Sequence, residues 1–184
     1  KPVVVYLMNG RPLSINYIQE NVPAILEGWY MGQETGTAAA DIIFGDVNPS
    51  GKLTITVPKS AGQLPMYYNF KPSAQINDYL SMDNKPLYYF GYGLSYTKFR
   101  FENLRLDKTK IKSNGSVKVK VDVTNTGKIS GDEIVQMYIR DKVSSVTRPV
   151  KELKGFRRVS LKPKETKTVT LEIKPEHLAF HDIN

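Results

Sequence analysis

Near residue 99 the hydrophobic pattern of this 184-residue chain changes period, and that change constrains the fold more than any other feature. From Phe99 onward, apolar and polar residues alternate in short runs separated by turn residues. In "SVKVKVDVTNTG", Val117, Val119, Val121 and Val123 fall on one face and Lys118 and Lys120 on the other, because successive strand side chains point to opposite sides of a sheet. A turn is expected at Asn125 to Gly127. "EIVQMYIRD" puts Val135, Met137 and Ile139 on one side, "KPKET" reads as a turn, and "TVTLEI" directs Val169, Leu171 and Ile173 inward. Short strands spaced in this way predict a β-sandwich of the immunoglobulin or fibronectin type.

Upstream the rhythm is different. "PVVVYLM" reads as a buried strand, "LSINYIQENV" as a short helical face through Leu13, Tyr17 and Ile18 that Pro23 interrupts, and "PAILEGWY" as a second buried strand. "GQETGTAAADIIFG" then places Ala38, Ala39, Ile42 and Ile43 on one side of a helix, with Gly45 as its stop. Strand, helix, strand, helix is the order of a parallel sheet with crossover helices. Residues 59–98 are irregular and rich in Tyr and Phe. They are expected to form an extended strap held down by its rings, since a free loop of that length is uncommon. The expected fold class is therefore α/β followed by all-β, with residues 1–98 and 99–184 as the two modules.

Charge narrows the functional classes. The first 98 residues balance seven basic against seven acidic side chains, so the whole net charge of +8 lies in residues 99–184. There the lysines alternate with valines, as on the solvated face of a strand, without the aromatic interleaving of a nucleic-acid groove. No nucleic-acid partner is expected. No run approaches 18 apolar residues, so no membrane span is expected. The absence of cysteine excludes disulfides and a thiol nucleophile, and leaves the compartment open.

Candidate chemistry reduces to a few residues. His177 and His181 are four apart, but Leu178 and Phe180 alternate with them as at a strand end, and no metal site is expected. "GQETGTAAAD" lacks the Lys-Ser/Thr pair of a phosphate loop, and the serines lack a convincing histidine partner. The carboxylates Glu34, Asp41 and Asp46 remain, and glycoside cleavage needs two such groups across the scissile bond. Each has a simpler explanation: Glu34 at the positive end of a helix dipole, Asp41 on a helix surface, and Asp46 in a turn that bonds its own backbone.

The run "PAILEGWYMGQETGTAAADIIFGDVNPSGKLTITVPKSAGQLP", with "PLYYFGYGLSYTKF", "GDEIVQMYIRD", "RPVKELKGFRRVSL" and "TLEI" after it, resembles the C-terminal region of family 3 glycoside hydrolases. The resemblance covers nearly the whole chain, with Met31, Thr35 and Tyr89 departing from the usual loop residues. It implies a β-glucosidase-like parent with an N-terminal (β/α)8 barrel carrying an aspartate nucleophile. An α/β sandwich domain would carry the acid/base glutamate in its upstream part, and a fibronectin type III-like module would follow. The chain then begins inside the sandwich domain, downstream of both catalytic carboxylates, so no residue here is catalytic, and the last module is expected to continue past "LAFHDIN". The resemblance further implies no cofactor or metal, the rest of the enzyme as partner, a β-glycoside or oligosaccharide substrate for the intact protein, and a possible homodimer. It is compatible with a periplasmic, secreted or cytoplasmic site. Trp29 and Tyr30 are expected either to pack against the absent barrel, the preferred reading, or to border its sugar pocket. The competing expectation is a non-catalytic carbohydrate-binding or adhesion module, because fold alone does not fix function.

Overall fold

The computed structural model describes residues 1–72 and 82–181, which divide into two compact units. The first holds the described residues of Lys1–Val47, Lys52–Tyr68 and Ser73–Tyr92; the second holds those of Asn48–Gly51, Asn69–Pro72 and Gly93–Asn184.

In the first unit, β1 (Val4–Leu7) and β2 (Ala24–Glu27) pair in parallel, from Val4 opposite Ala24 to Leu7 opposite Glu27. Parallel strands need a crossover, and α1 (Asn16–Asn21) supplies it. The expectation that both strands are buried needs correction: Val4 is 48% exposed, Ala24 is exposed, and the remaining positions are half-buried. A continuous apolar run signals burial on both faces, and this two-stranded sheet does not cover both.

The helix α2 (Thr35–Phe44) ends where expected, with Gly45 at φ 88°, a left-handed conformation that glycine adopts without a steric penalty. Its covered arc is narrower than the sequence suggests. Ala39 is buried, whereas Ile43, at the margin of that arc, is 45% exposed.

The aromatic strap is partly a backbone structure. Val57 and Tyr88 form an isolated antiparallel bridge, and Leu53 bonds the Tyr92 carbonyl at 2.8 Å while accepting from Gly91 at 2.7 Å. Rings add to this: Tyr68 stacks on Phe90 at 4.1 Å and Tyr88 on Tyr92 at 5.3 Å, yet Tyr89 and Tyr92 stay exposed. The "SAQINDYLS" portion, residues 73–81, lies outside the described residues. Gln63, in a 3-10 turn over Ala61–Gln63, contributes what sequence reading missed. This buried amide accepts from the Lys59 and Ser60 amides and donates to the Asp83 and Lys85 carbonyls.

The second unit is the expected sandwich. One sheet has the order β3 (Phe99–Leu106), β4 (Val117–Asn125), β7 (Thr166–Ile173); the other pairs β5 (Gly131–Ile139) with β6 (Glu152–Leu161); all these pairings are antiparallel. Val123 and Val169 from the first sheet meet Val135 and Leu161 from the second in a core no more than 3% exposed, flanked by Phe99, Val121, Val159 and Leu171. Alternation put these valines inward, as expected, while Lys118 stays in solvent. The strand-like reading of the C-terminal segment is corrected: Pro175–Leu178 form a short helix, α3, with proline at its start and the Lys174 amide donating to His177 Nδ1 at 3.2 Å. Asp182 to Asn184 lie outside the described residues.

Candidate functional site

Concave, polar and aromatic features of the first unit coincide at the carboxyl ends of β1 and β2. The chain leaves β1 through Met8–Leu13 and leaves β2 through Gly28–Tyr30. Met8, Asn9, Gly10, Arg11, Leu13 and Tyr30 line an open cleft of ≈ 350 Å³ there. Such strand ends are where open α/β sheets take up ligands, because the connecting loops diverge there.

Local geometry explains the cleft. The Gly28 amide donates to the Leu7 carbonyl at 2.9 Å and extends the parallel ladder by one bond. A Cβ at Gly28 would lie 2.4 Å from the Tyr6 ring, so glycine lets that ring close over the strand end. The next residue, Trp29, adopts φ 55°, a left-handed conformation uncommon for a bulky side chain. Glu27 Oε1 accepts the Trp29 amide at 3.0 Å, and Glu27 Oε2 accepts from Asn9 Nδ2 at 3.5 Å. Asn9 Nδ2 also donates to the Arg11 carbonyl at 2.7 Å. One carboxylate thus ties together the loops that follow both strands. Of the expected aromatic pair, Tyr30 is 83% exposed and lines the cleft, whereas Trp29 is half-buried and does not line it.

The other carboxylates singled out in the sequence are placed apart from this arrangement. Glu34 is the residue before α2, exposed, with its Oε2 accepting from Thr37 Oγ1 at 3.1 Å; this is the helix-start role expected of it. Thr35, the departure from the usual glycine, donates its hydroxyl to the Gly32 carbonyl at 2.5 Å and so helps to start the same helix. Asp41 lies on α2, half-buried. Asp46 is exposed, and the side chain that organises the "GDVNPSG" turn is Asn48 instead. Its Oδ1 accepts from Ser95 Oγ at 2.9 Å and from the Tyr96 amide at 2.8 Å, and its Nδ2 donates to the Ser130 carbonyl at 3.0 Å. Asp and Asn both signal turns, which is why the sequence does not reveal which one does this.

His177 is committed to α3 and His181 follows that helix, exposed. Among the described residues, no group of three or more His, Cys, Asp or Glu is arranged to hold a metal ion. No helix among them is long and apolar enough to cross a membrane.

Comparison with known proteins decides the family. Residues 1–96 match the glycosyl hydrolase family 3 C-terminal domain, and residues 133–184 match the fibronectin type III-like domain. The chain belongs to glycosyl hydrolase family 3. It is 53% identical over its full length to a β-xylosidase of Formosa agariphila, and 47% identical over 98% of its length to a periplasmic β-glucosidase of Salmonella typhimurium. It spans 25% of each of those relatives, so the family 3 region seen here is about a quarter of such an enzyme. Among solved structures, a β-glucosidase of Erythrobacter marinus superposes with a TM-score of 0.94 at 45% identity, covering 97% of this chain and 24% of that one. A Listeria innocua β-glucosidase crystallised with isofagomine gives 0.91 at 40% identity, covering all of this chain and 27% of that one. The fold class, α/β followed by a fibronectin type III-like sandwich, agrees with both family matches.

Proposed function

We propose that this chain is the C-terminal portion of a retaining, β-glucosidase-like exo-glycosidase that releases terminal β-D-glycosyl residues, and that its own contribution is structural. Both catalytic carboxylates would stand on polypeptide outside the chain. The boundary between the two modules would fall near residue 98, the first being the end of the α/β sandwich domain and the second a fibronectin-like sandwich. Trp29 and Tyr30 would pack against the barrel, in preference to bordering its sugar pocket. The supporting observation is one of coverage: a chain alike from end to end to proteins named β-glucosidase and β-xylosidase amounts to a quarter of their length.

The placement of Glu34 supports the same reading, because a carboxylate bonded to the first turn of its own helix has an occupation that needs no substrate. The partner would be the remainder of the enzyme, with a second copy of the assembled protein possible through homodimer formation. The test is hydrolysis of an aryl β-glucoside. The polypeptide encoded by the complete reading frame should turn it over and the 184-residue chain should not. Turnover by the pure chain, abolished by Glu34→Gln, would sink this assignment. Specific affinity of the chain for cellobiose or xylan, together with an inactive complete protein, would favour a carbohydrate-binding module instead.

A further inference from the structure

We propose that Asn114 is a site of spontaneous deamidation through a succinimide, and that the fold withholds the same reaction from Asn9. The dipeptide Asn-Gly occurs twice in the chain, as Asn9-Gly10 and Asn114-Gly115. The reaction needs the asparagine side chain to swing until its Cγ meets the amide nitrogen of the next residue, and glycine, without a Cβ, leaves that nitrogen least hindered. The nitrogen gives up its proton and bonds to Cγ; the Cγ–Nδ2 bond breaks, and ammonia leaves with a proton in exchange. Water then opens the ring at either carbonyl, giving aspartate or isoaspartate. The balance is one water consumed and one ammonia released, with no change of oxidation state.

Asn114 meets these requirements. It lies exposed in the turn between β3 and β4. Its attacking partner, the Gly115 nitrogen, is restrained by a bond to the Lys112 carbonyl at 2.9 Å, a turn contact at the surface of the kind that opens at little cost. Lys108, Lys110 and Lys112 share the loop, all exposed, and their positive charge favours both the deprotonated nitrogen and the carboxylate product. Asn9 is held away from the same step. Its Nδ2 donates to the Arg11 carbonyl at 2.7 Å and to Glu27 Oε2 at 3.5 Å, and its Oδ1 is buried. The Tyr30 ring fills the space beside Gly10, 2.4 Å from where a Cβ would stand. Rotation of Asn9 towards the Gly10 nitrogen therefore requires the loop after β1 to open first. Conversion at Asn114 lowers the net charge of +8 by one, and isoaspartate adds a methylene to the backbone shortly before the buried Val117.

The test incubates the unaltered chain in mildly alkaline buffer and follows each site over time by peptide mass mapping, with enzymatic methylation to count isoaspartate. Peptides containing Asn114 should gain the mass of deamidation, with isoaspartate among the products. Those containing Asn9 should gain it at least about tenfold more slowly, since conversion there waits on a local opening. In guanidinium chloride, where both turns are lost, the two rates should come within about threefold of each other. Equal rates in the folded chain, faster loss at Asn9, or no conversion at Asn114 would each overturn the proposal. Aspartate as the sole product would do the same, because direct hydrolysis yields no isoaspartate. A gap of about tenfold that persists in guanidinium chloride would also overturn it, because neighbours along the chain would then set the rates and the fold would not.

Discussion

The Thr97 hydroxyl donates to Asn125 Oδ1 at 2.7 Å in a place where Asn125 is wholly buried and Thr97 is 7% exposed. Asn125 ends β4, and its amide is saturated: Oδ1 also accepts the Gly127 amide at 3.0 Å, while Nδ2 donates to the Ile129 and Leu161 carbonyls at 2.8 and 3.1 Å. One side chain thereby joins the start of β3, the β4–β5 turn and the end of β6.

Removing a fully satisfied buried amide leaves its partners unsatisfied. Asn125→Ala should therefore destabilise the second unit by about 3 kcal/mol, whereas Thr97→Val, which deprives the amide of one donor, should cost about 1 kcal/mol. Urea unfolding monitored by circular dichroism measures both. A loss below about 1 kcal/mol for Asn125→Ala would show that the network is dispensable.

A Cβ at Gly127 would lie 2.0 Å from Thr97 Oγ1. Gly127→Ala should destabilise by more than about 1 kcal/mol, and adding Thr97→Ala should recover part of that loss, because the obstructing oxygen goes with it. A double-mutant cycle reads the coupling; strictly additive effects would mean that the turn relaxes elsewhere.

Asp122 is held well below the usual carboxylate range, to about 2, first by the hydrogen bonds of the Arg105 guanidinium and then by those of Thr168 and Asn103. Its folded value lies below its unfolded one, near 3.8, so its stabilising contribution is complete above about pH 4 and disappears as pH falls from there towards about 2. Asp83, held low by Lys59, and Glu165, held low by the Lys162 amide, add slopes of the same sign. Unfolding midpoints between pH 5 and pH 2 should consequently fall less steeply for Asp122→Asn than for the unaltered chain. Parallel curves would refute the role given to this carboxylate.

Glu34→Ala should cost about 0.5 kcal/mol, the loss of one negative charge at a helix start, and should leave the glycosidase activity proposed for the complete protein within about twofold. A drop of several orders of magnitude in kcat with unchanged stability would instead make Glu34 a reacting group.

The β-sandwich was legible because its signal is local: alternating valines and lysines in "VKVKVDV" state which face is buried, and the register of β4 with β7 only confirms it. The end of α2 at Gly45 was legible for the same reason. The roles of Asn125, Asn48 and Gln63 were hidden, because turn-forming and buried polar residues use the same letters and differ only in what surrounds them. The strands β1 and β2 misled in the opposite direction. Their apolar runs describe what the residues can bury, and this two-stranded sheet leaves them half covered.

By itself the sequence determined the periods of its segments, the stops at Gly45 and Gly127, the confinement of excess charge to the second half and, through its motifs, the family. Tertiary structure alone decided that Glu27 bridges two loops, that Trp29 lies in left-handed backbone and that Asn125 ties together the segments at the end of β4. The reason is physical: periodicity is fixed by bonds between near neighbours along the chain, whereas a hydrogen bond between Asn9 and Glu27 or between Thr97 and Asn125 exists only after folding has brought distant residues together.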